Sequence, residues 1–196
     1  MKGAALVAIA FLVAGCAHND GRALRPPAPG ATAPALPSTT VPGQTSAVAP
    51  LSLTSTAFAP GGSIPLEHTC DGAGVSPPLA WGSVPESTVE LAIVVTDPDA
   101  DGFVHWVLAG LDPSVQAIAL GVVPDGAIQA KNDADTVGWT GPCPPKAAEA
   151  HAYVFTLYAL TAPSGVTAEM SGKAAITAIA KIPGLTATLI GIYGRV

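Results

Sequence analysis

Along His151-Ala-Tyr-Val-Phe-Thr-Leu-Tyr-Ala-Leu160 every second position belongs to one set, and a period of two is the signature of a strand. The alternation puts His151, Tyr153, Phe155 and Leu157 on one face. That face opens with an imidazole and a phenol and then turns wholly apolar, which predicts a strand whose start lines a cavity and whose remainder lines the core. Leu91 to Thr96 does not alternate; its continuous β-branched run predicts a strand buried on both faces. Val104 to Leu108 predicts another, split from the first by the turn Asp97–Phe103. One stretch has helical character: Ser171 to Ile182, with Ser171 placed to cap it, Ala and Ile filling it, and Pro183-Gly184 ending it. Leu185 to Tyr193 predicts a final strand or extended segment. Short strands, many turn residues and one late helix make the fold class mainly β, an antiparallel sandwich spanning residues 51–196.

The first fifty residues follow no such pattern. Met1-Lys2 supplies a short positive start and Gly3 to Gly15 a continuous run of small apolar residues. That run is shorter than the roughly 20 residues of a membrane-spanning helix, which predicts a signal peptide over residues 1–15. It ends in Leu12-Val13-Ala14-Gly15-Cys16, which resembles the lipobox of bacterial lipoproteins. Cys16 is then the lipidation site, carrying diacylglycerol and palmitate-type chains, and the protein is expected lipid-anchored on the extracytoplasmic face of the cell membrane. The alternative is an ordinary secretory signal that Cys16 happens to follow. Residues 16–50 are rich in Ala, Pro, Thr, Ser and Gly and poor in bulky apolar side chains. A stretch that cannot bury enough surface to offset its ordering entropy predicts a disordered, semi-extended tether.

Charge narrows the partners. The chain has 196 residues, with 8 basic against 14 acidic side chains and a net charge of −6. Without a basic run it lacks the footprint of a nucleic-acid binder or of a polybasic membrane patch. Hydrophobic residues make up 49%, enough for a sizeable core once the N-terminus is set aside. Of three cysteines, lipidation consumes Cys16 and leaves the even pair Cys70 and Cys143. Outside the cytoplasm such a pair is normally a disulfide; two buried thiols are the alternative.

Only 11% of the residues are charged, so the concentration of acids, imidazoles and a phenol at two strand ends carries weight. The segments Thr69-Cys-Asp-Gly72, Ser76-Pro-Pro-Leu-Ala-Trp81, Asp97-Pro-Asp-Ala100, His105-Trp106, Gly141-Pro-Cys-Pro-Pro145 and His151-Ala-Tyr153 resemble the phosphatidylethanolamine-binding protein (PEBP) family. They are closest to its bacterial, Raf-kinase-inhibitor-like branch, as is the C-terminal Gly191-Ile-Tyr-Gly-Arg195. The resemblance runs from Leu53 onward and implies a Greek-key β-sandwich with a small anion pocket for phosphate or phosphoryl head groups. By position it implies ligand-binding roles for Asp97, Asp99, His105, Pro142, Pro144, His151 and Tyr153. The imidazoles can donate to phosphate oxygens and gain charge on protonation. Asp101 departs from the family's usual proline and adds negative charge near the site. His18 and His68 read as tether and loop residues.

No phosphate-cradling Gly-rich loop, Gly-x-Ser-x-Gly elbow or His-Glu-x-x-His motif is present. No cofactor and no metal are expected, an Asp97–His105–His151 metal triad being the weaker alternative. The resulting expectation is a non-enzymatic, membrane-tethered protein that binds a phosphoryl-containing small molecule or lipid head group. An interaction protein that docks or inhibits a protein partner through the same pocket is the alternative, and a hydrolase ranks third.

Overall fold

The computed structural model describes residues 50–196; the predicted signal peptide, Cys16, His18 and the tether up to residue 49 lie outside the described residues. Eight strands and a helix follow in the order β1 (Leu53–Thr54), β2 (Leu79–Trp81), β3 (Glu90–Asp97), β4 (Phe103–Leu111), β5 (Ala117–Ile118), β6 (Ile128–Gln129), β7 (His151–Leu160), α1 (Gly172–Ala180) and β8 (Gly184–Tyr193). They form two sheets, β1-β2-β5 and β6-β4-β3-β7-β8, and every pairing within them is antiparallel. In the larger sheet β3, β4 and β6 are successive neighbours while β7 returns to the free side of β3. That is the spatial order of a Greek key.

The missing alternation in β3 has a direct cause: both its faces are covered. Leu91, Ile93 and Val95 join Trp106, Phe155 and Leu157 against Leu53, Leu79, Trp81 and Ile118 of the smaller sheet. Ala92 and Val94 face the other way, packing with Val107 beneath Ala175 and Ile179 of α1. The alternating β7 has one fully buried row, Tyr153, Phe155 and Leu157, and a half-buried row opposite. Its ten residues all pair with β8, from His151 opposite Tyr193 to Leu160 opposite Gly184. The helix is shorter than the Ser171–Ile182 pattern predicts. Ser171 is its cap, accepting from the Ala174 amide at 3.3 Å, and Lys181 lies beyond its last residue.

β4 runs to Leu111, three residues past the predicted end, through an irregularity in its pairing with β3. Gly110 there has φ +73°, a left-handed conformation cheap only for glycine. Its amide donates to the buried Glu90 carboxylate at 3.0 Å, which also accepts from the Ser164 amide at 2.9 Å and hydroxyl at 2.6 Å. The charge is thus met at three points, as burial requires.

His68 corrects its reading as an ordinary loop residue. It ends the 3-10 turn Leu66–His68 and is fully buried, because its Nδ1 pairs with the Val75 carbonyl at 2.9 Å. Just beyond it, Cys70 and Cys143 form a disulfide with Cα atoms 5.4 Å apart. The adjacent Asp71 accepts two bonds from the Arg195 guanidinium, at 2.8 and 2.7 Å, and one from the Tyr193 hydroxyl. Arg195 holds that carboxyl down to about 2, with help from Tyr193. The end of β8 and the 139–145 loop are therefore both fastened to the Thr69–Gly72 segment.

Candidate functional site

One end of the larger sheet carries a cavity of about 160 Å³. Asp97, the last residue of β3, His151, the first of β7, and His105 near the start of β4 all line it. That volume corresponds to roughly five waters, small for a drug-sized ligand and suited to a head group or a free oxyanion.

Asp97 is buried and its two oxygens do different things. Oδ1 accepts from the Asp99 and Ala100 amides at 2.9 and 3.1 Å, capping the 3-10 turn Pro98–Ala100; Pro98 itself has no amide hydrogen to offer. Oδ2 faces His151 Nδ1 at 2.8 Å. A carboxylate accepts, so His151 carries its proton at Nδ1 and leaves Nε2 for the cavity.

His105, 5% exposed, is held in the same sense by another loop. Its Nδ1 lies 2.7 Å from the Thr140 carbonyl, while the Thr140 amide donates to the His105 carbonyl at 3.0 Å. A carbonyl can only accept, so this proton is also at Nδ1 and the neutral ring presents a bare Nε2. Burial pushes His105 below its ordinary imidazole value, against the opposing pull of Thr140 and Asp97.

Beneath the two rings lies Tyr153, fully buried, its ring edge-on to His105 at 5.2 Å and stacked on His151 at 6.4 Å. Its hydroxyl has no hydrogen-bond partner. Burial, reinforced by the Asp97 charge, pushes its ionisation upward, so it stays a phenol.

Of the seven predicted site residues, Asp97, His105, Pro144 and His151 are in the cavity wall. The other three stand behind it, each for a visible reason. Asp99 turns away to accept from the Ala152 amide at 2.8 Å, clamping the turn to β7. Pro142 is buried, its carbonyl accepting from the Cys70 amide at 3.1 Å. Tyr153 forms the floor below the imidazoles. Asp101 sits on the turn with φ 53° and does not line the cavity.

Ala100, Phe103, Thr140, Gly141, Cys143 and Pro145 also line the wall. Gly141, Cys143 and Pro145 belong to the 141–145 turn that the sequence singles out as a rigid wall, whereas Ala100, Phe103 and Thr140 were missed because they are apolar or act through backbone atoms. Gly141 is irreplaceable: a Cβ there would lie 2.7 Å from the His68 carbonyl oxygen and 2.9 Å from Thr69 Cα. Asn132 was missed as well. It is buried and donates through Nδ2 to the Gly138 carbonyl at 2.9 Å and the Thr140 hydroxyl at 2.6 Å. Its Oδ1 accepts from the Ala134 and Thr136 amides at 2.9 and 3.2 Å. Asn132 thereby folds the loop that delivers Thr140 to His105. The one available signal was an Asn among turn residues in Lys131-Asn-Asp-Ala-Asp135.

Among the described residues no group of three or more His, Cys, Asp or Glu has metal-holding geometry. Asp97, His105 and His151 converge, but both Asp97 oxygens and both Nδ1 atoms are already engaged.

Sequence comparison gives the family of this two-sheet β-protein. The profile of phosphatidylethanolamine-binding proteins matches residues 54–194. The chain belongs to this family. It is 39% identical over 196 residues to a candidate lipoprotein, LppC, of Mycobacterium tuberculosis, covering 95% of this chain and 92% of that one. It is 38% identical over 152 residues to a UPF0098 protein of Methanothermobacter thermautotrophicus, covering 74% and 99%. Among solved structures it resembles YbcL of Escherichia coli, described as a member of the mammalian PEBP family. There the TM-score is 0.72 and the identity 29%, over 76% of this chain and all (100%) of that one. A candidate PEBP homologue of Chlamydia trachomatis gives a TM-score of 0.65 and 34% identity, over 75% and 99%.

Proposed function

We propose that the protein is a membrane-tethered, extracytoplasmic binding protein whose rim cavity takes a phosphate or phosphoryl group without turning it over. The observation that carries this reading is the convergence of His105 and His151 on one small cavity, each with Nδ1 tied back and Nε2 left for a ligand. Two imidazoles fixed by second partners are pre-organised donors once protonated, so little ordering entropy is lost on binding. No side chain in the wall combines a nucleophile with an adjacent base, which favours binding over catalysis. Family membership supports a ligand-binding role.

A histidine that holds an anion is stabilised in its charged form. Affinity for inorganic phosphate should therefore strengthen as pH falls through the imidazole range and weaken as pH rises. Each charge-assisted bond contributes roughly 1.5–3 kcal/mol. Calorimetry on the full chain should show His105→Ala and His151→Ala each weakening phosphate binding by about tenfold or more. Binding indifferent to both substitutions and to pH would move the site elsewhere.

The tether belongs to the same proposal: residues 1–15 are a signal peptide, Cys16 is lipidated, and residues 16–50 hold the domain 51–196 off the membrane. Replacing Cys16 with Ala should shift the protein from the membrane to the soluble extracytoplasmic fraction. A wild type already soluble in its own host would rule the anchor out.

A further inference from the structure

We propose that two copies of this chain join edge to edge through β8, in antiparallel register about Ala187.

β8 is the last strand of the larger sheet and has β7 as its one neighbour there. Its outer edge is covered at one end. The Gly61 amide donates to the Ile190 carbonyl at 2.8 Å, the Ile192 amide to the Gly62 carbonyl at 2.9 Å, and the Ile64 amide to the Ile192 carbonyl at 2.8 Å. Those bonds fix which residues turn their backbone groups outward. The register with β7 is unbroken from Gly184 to Tyr193, so Thr186 and Thr188 share the orientation of Ile190 and Ile192. Both threonines are exposed. Among the described residues nothing bonds to their outward amides and carbonyls.

Proteins ordinarily blunt such an edge with a charge, a proline or a bulge. Gly184–Tyr193 contains neither a charged residue nor a proline, and it pairs without a register shift. An open edge of this kind accepts one more strand.

The sequence fits that strand to itself. Leu185-Thr-Ala-Thr-Leu189 reads the same in both directions, as a two-fold axis through Ala187 requires. The open stretch has the same centre: Pro183, which has no amide hydrogen, precedes it, and the Gly61 bond at Ile190 ends it. About this axis Thr186 stands opposite the partner's Thr188, with both main-chain bonds of the pair made, and symmetry repeats the pair. Threonine against threonine is a favourable cross-strand pair. On the other face Ala187 meets the partner's Ala187, and Leu185 meets the partner's Leu189. Leu185 is 54% exposed while Leu189 is buried, so the pairing gives an exposed leucine an apolar neighbour. His151 pairs with Tyr193 at the far end of β8, so the cavity stays open in the pair.

A contact one strand wide is small beside the roughly 1,200–2,000 Å² of stable interfaces, so pairing is expected where copies are concentrated. The lipid anchor proposed above would concentrate them. The chain from Cys16 to Pro50 can reach up to about 110 Å, enough for copies on one membrane to turn edge to edge, and confinement raises their effective concentration. The register itself rests on β8 and not on the anchor.

Cysteine cross-linking of the full chain in its own host, with a mild oxidant added, tests the register. Directly opposed residues have Cα atoms about 4.5–5.5 Å apart, within disulfide reach, whereas diagonal ones are about 7–8 Å apart and outside it. Thr186→Cys and Thr188→Cys chains with different tags should cross-link to each other when produced together. Either alone should give at least about tenfold less dimer. The wild type, with Cys70 and Cys143 already joined, is the blank. Ala187→Cys should cross-link to itself, and adding Thr186→Lys with Thr188→Lys, which sets like charges opposite each other, should cut that product about tenfold or more. If Ala187→Cys does not fold, the exposed threonine pair decides. Single threonine variants that cross-link as well as the mixture would show random collision and overturn the inference. Absence of any cross-link would overturn it too, as expected if the chain's own N-terminal stretch or another protein occupies the edge. Fractionation of the same cells reads the anchor separately: a soluble protein that still cross-links in this register would sink the anchor and keep the pairing.

Discussion

Removing the Cys70–Cys143 disulfide should lower the stability of the domain by roughly 4 kcal/mol, the loop-closure value for two residues 73 apart in sequence. For a domain of this length that is a fall in Tm of roughly 8–16 °C. The effect acts mainly on the unfolded chain, since the loop it fastens has other attachments in the folded one. The Cys70 amide donates to the Pro142 carbonyl at 3.1 Å, Trp139 Nε1 donates to the His68 carbonyl at 3.2 Å, and Gly141 packs directly on Thr69. Although Cys143 lines the cavity, phosphate affinity should change by less than about tenfold. Urea denaturation of the Cys70→Ser/Cys143→Ser variant beside calorimetry checks both halves. A stability loss below about 1 kcal/mol, or a pocket that stops binding while the domain stays folded, contradicts this division of labour.

That division also marks what a linear reading can reach. His151–Leu160 was legible to the residue, because a strand buried on one face writes its period into ten consecutive positions. Leu91–Thr96 was legible for the opposite reason, its uninterrupted run reporting cover from both the smaller sheet and α1. β1, β2, β5 and β6 escaped, since two or three residues hold no period to detect. The polar side chains at the pocket were visible as clusters, but their jobs were not. Asp97 and Asp99 are two residues apart on one turn, yet one holds His151 and the other holds the backbone of β7. Which acid faces the cavity is decided by its partners on β7, His151 Nδ1 for Asp97 and the Ala152 amide for Asp99, contacts that span 54 and 53 residues. Asn132 and Thr140 serve His105 through a loop whose partners are largely backbone atoms, and backbone atoms leave no mark on the side-chain pattern.

Asp97 is where fold and site depend on the same four atoms, and two substitutions should separate the roles. Asp97→Ala removes the cap of the Pro98–Ala100 turn, which contributes about 0.5–2 kcal/mol. It also strips His151 of its partner, leaving a mostly buried ring nitrogen unsatisfied for about 1–3 kcal/mol more. The sum, roughly 1.5–5 kcal/mol, should appear in urea denaturation together with loss of phosphate binding. Asp97→Asn should behave differently. Asn caps a turn about as well as Asp, so its carbonyl oxygen can still accept from Asp99 and Ala100, and most of the stability should remain. Its amide nitrogen, however, donates where the carboxylate accepted. His151 Nδ1 must then accept, and the neutral ring moves its proton to Nε2, facing the cavity. In the wild type an Nε2 donor on His151 needs a second ring proton; in the variant the neutral ring already has one. Charge-assisted bonds are about twice as strong as neutral ones, so binding at low pH should weaken while its decline with rising pH becomes shallower. Nitrogen-15 NMR of the histidine rings reads the tautomer directly, and calorimetry across about pH 5–8 reads the slope. An Asn variant that keeps the Nδ1–H tautomer, or binds with the wild-type pH profile, would show that Asp97 does not set the donor state of His151.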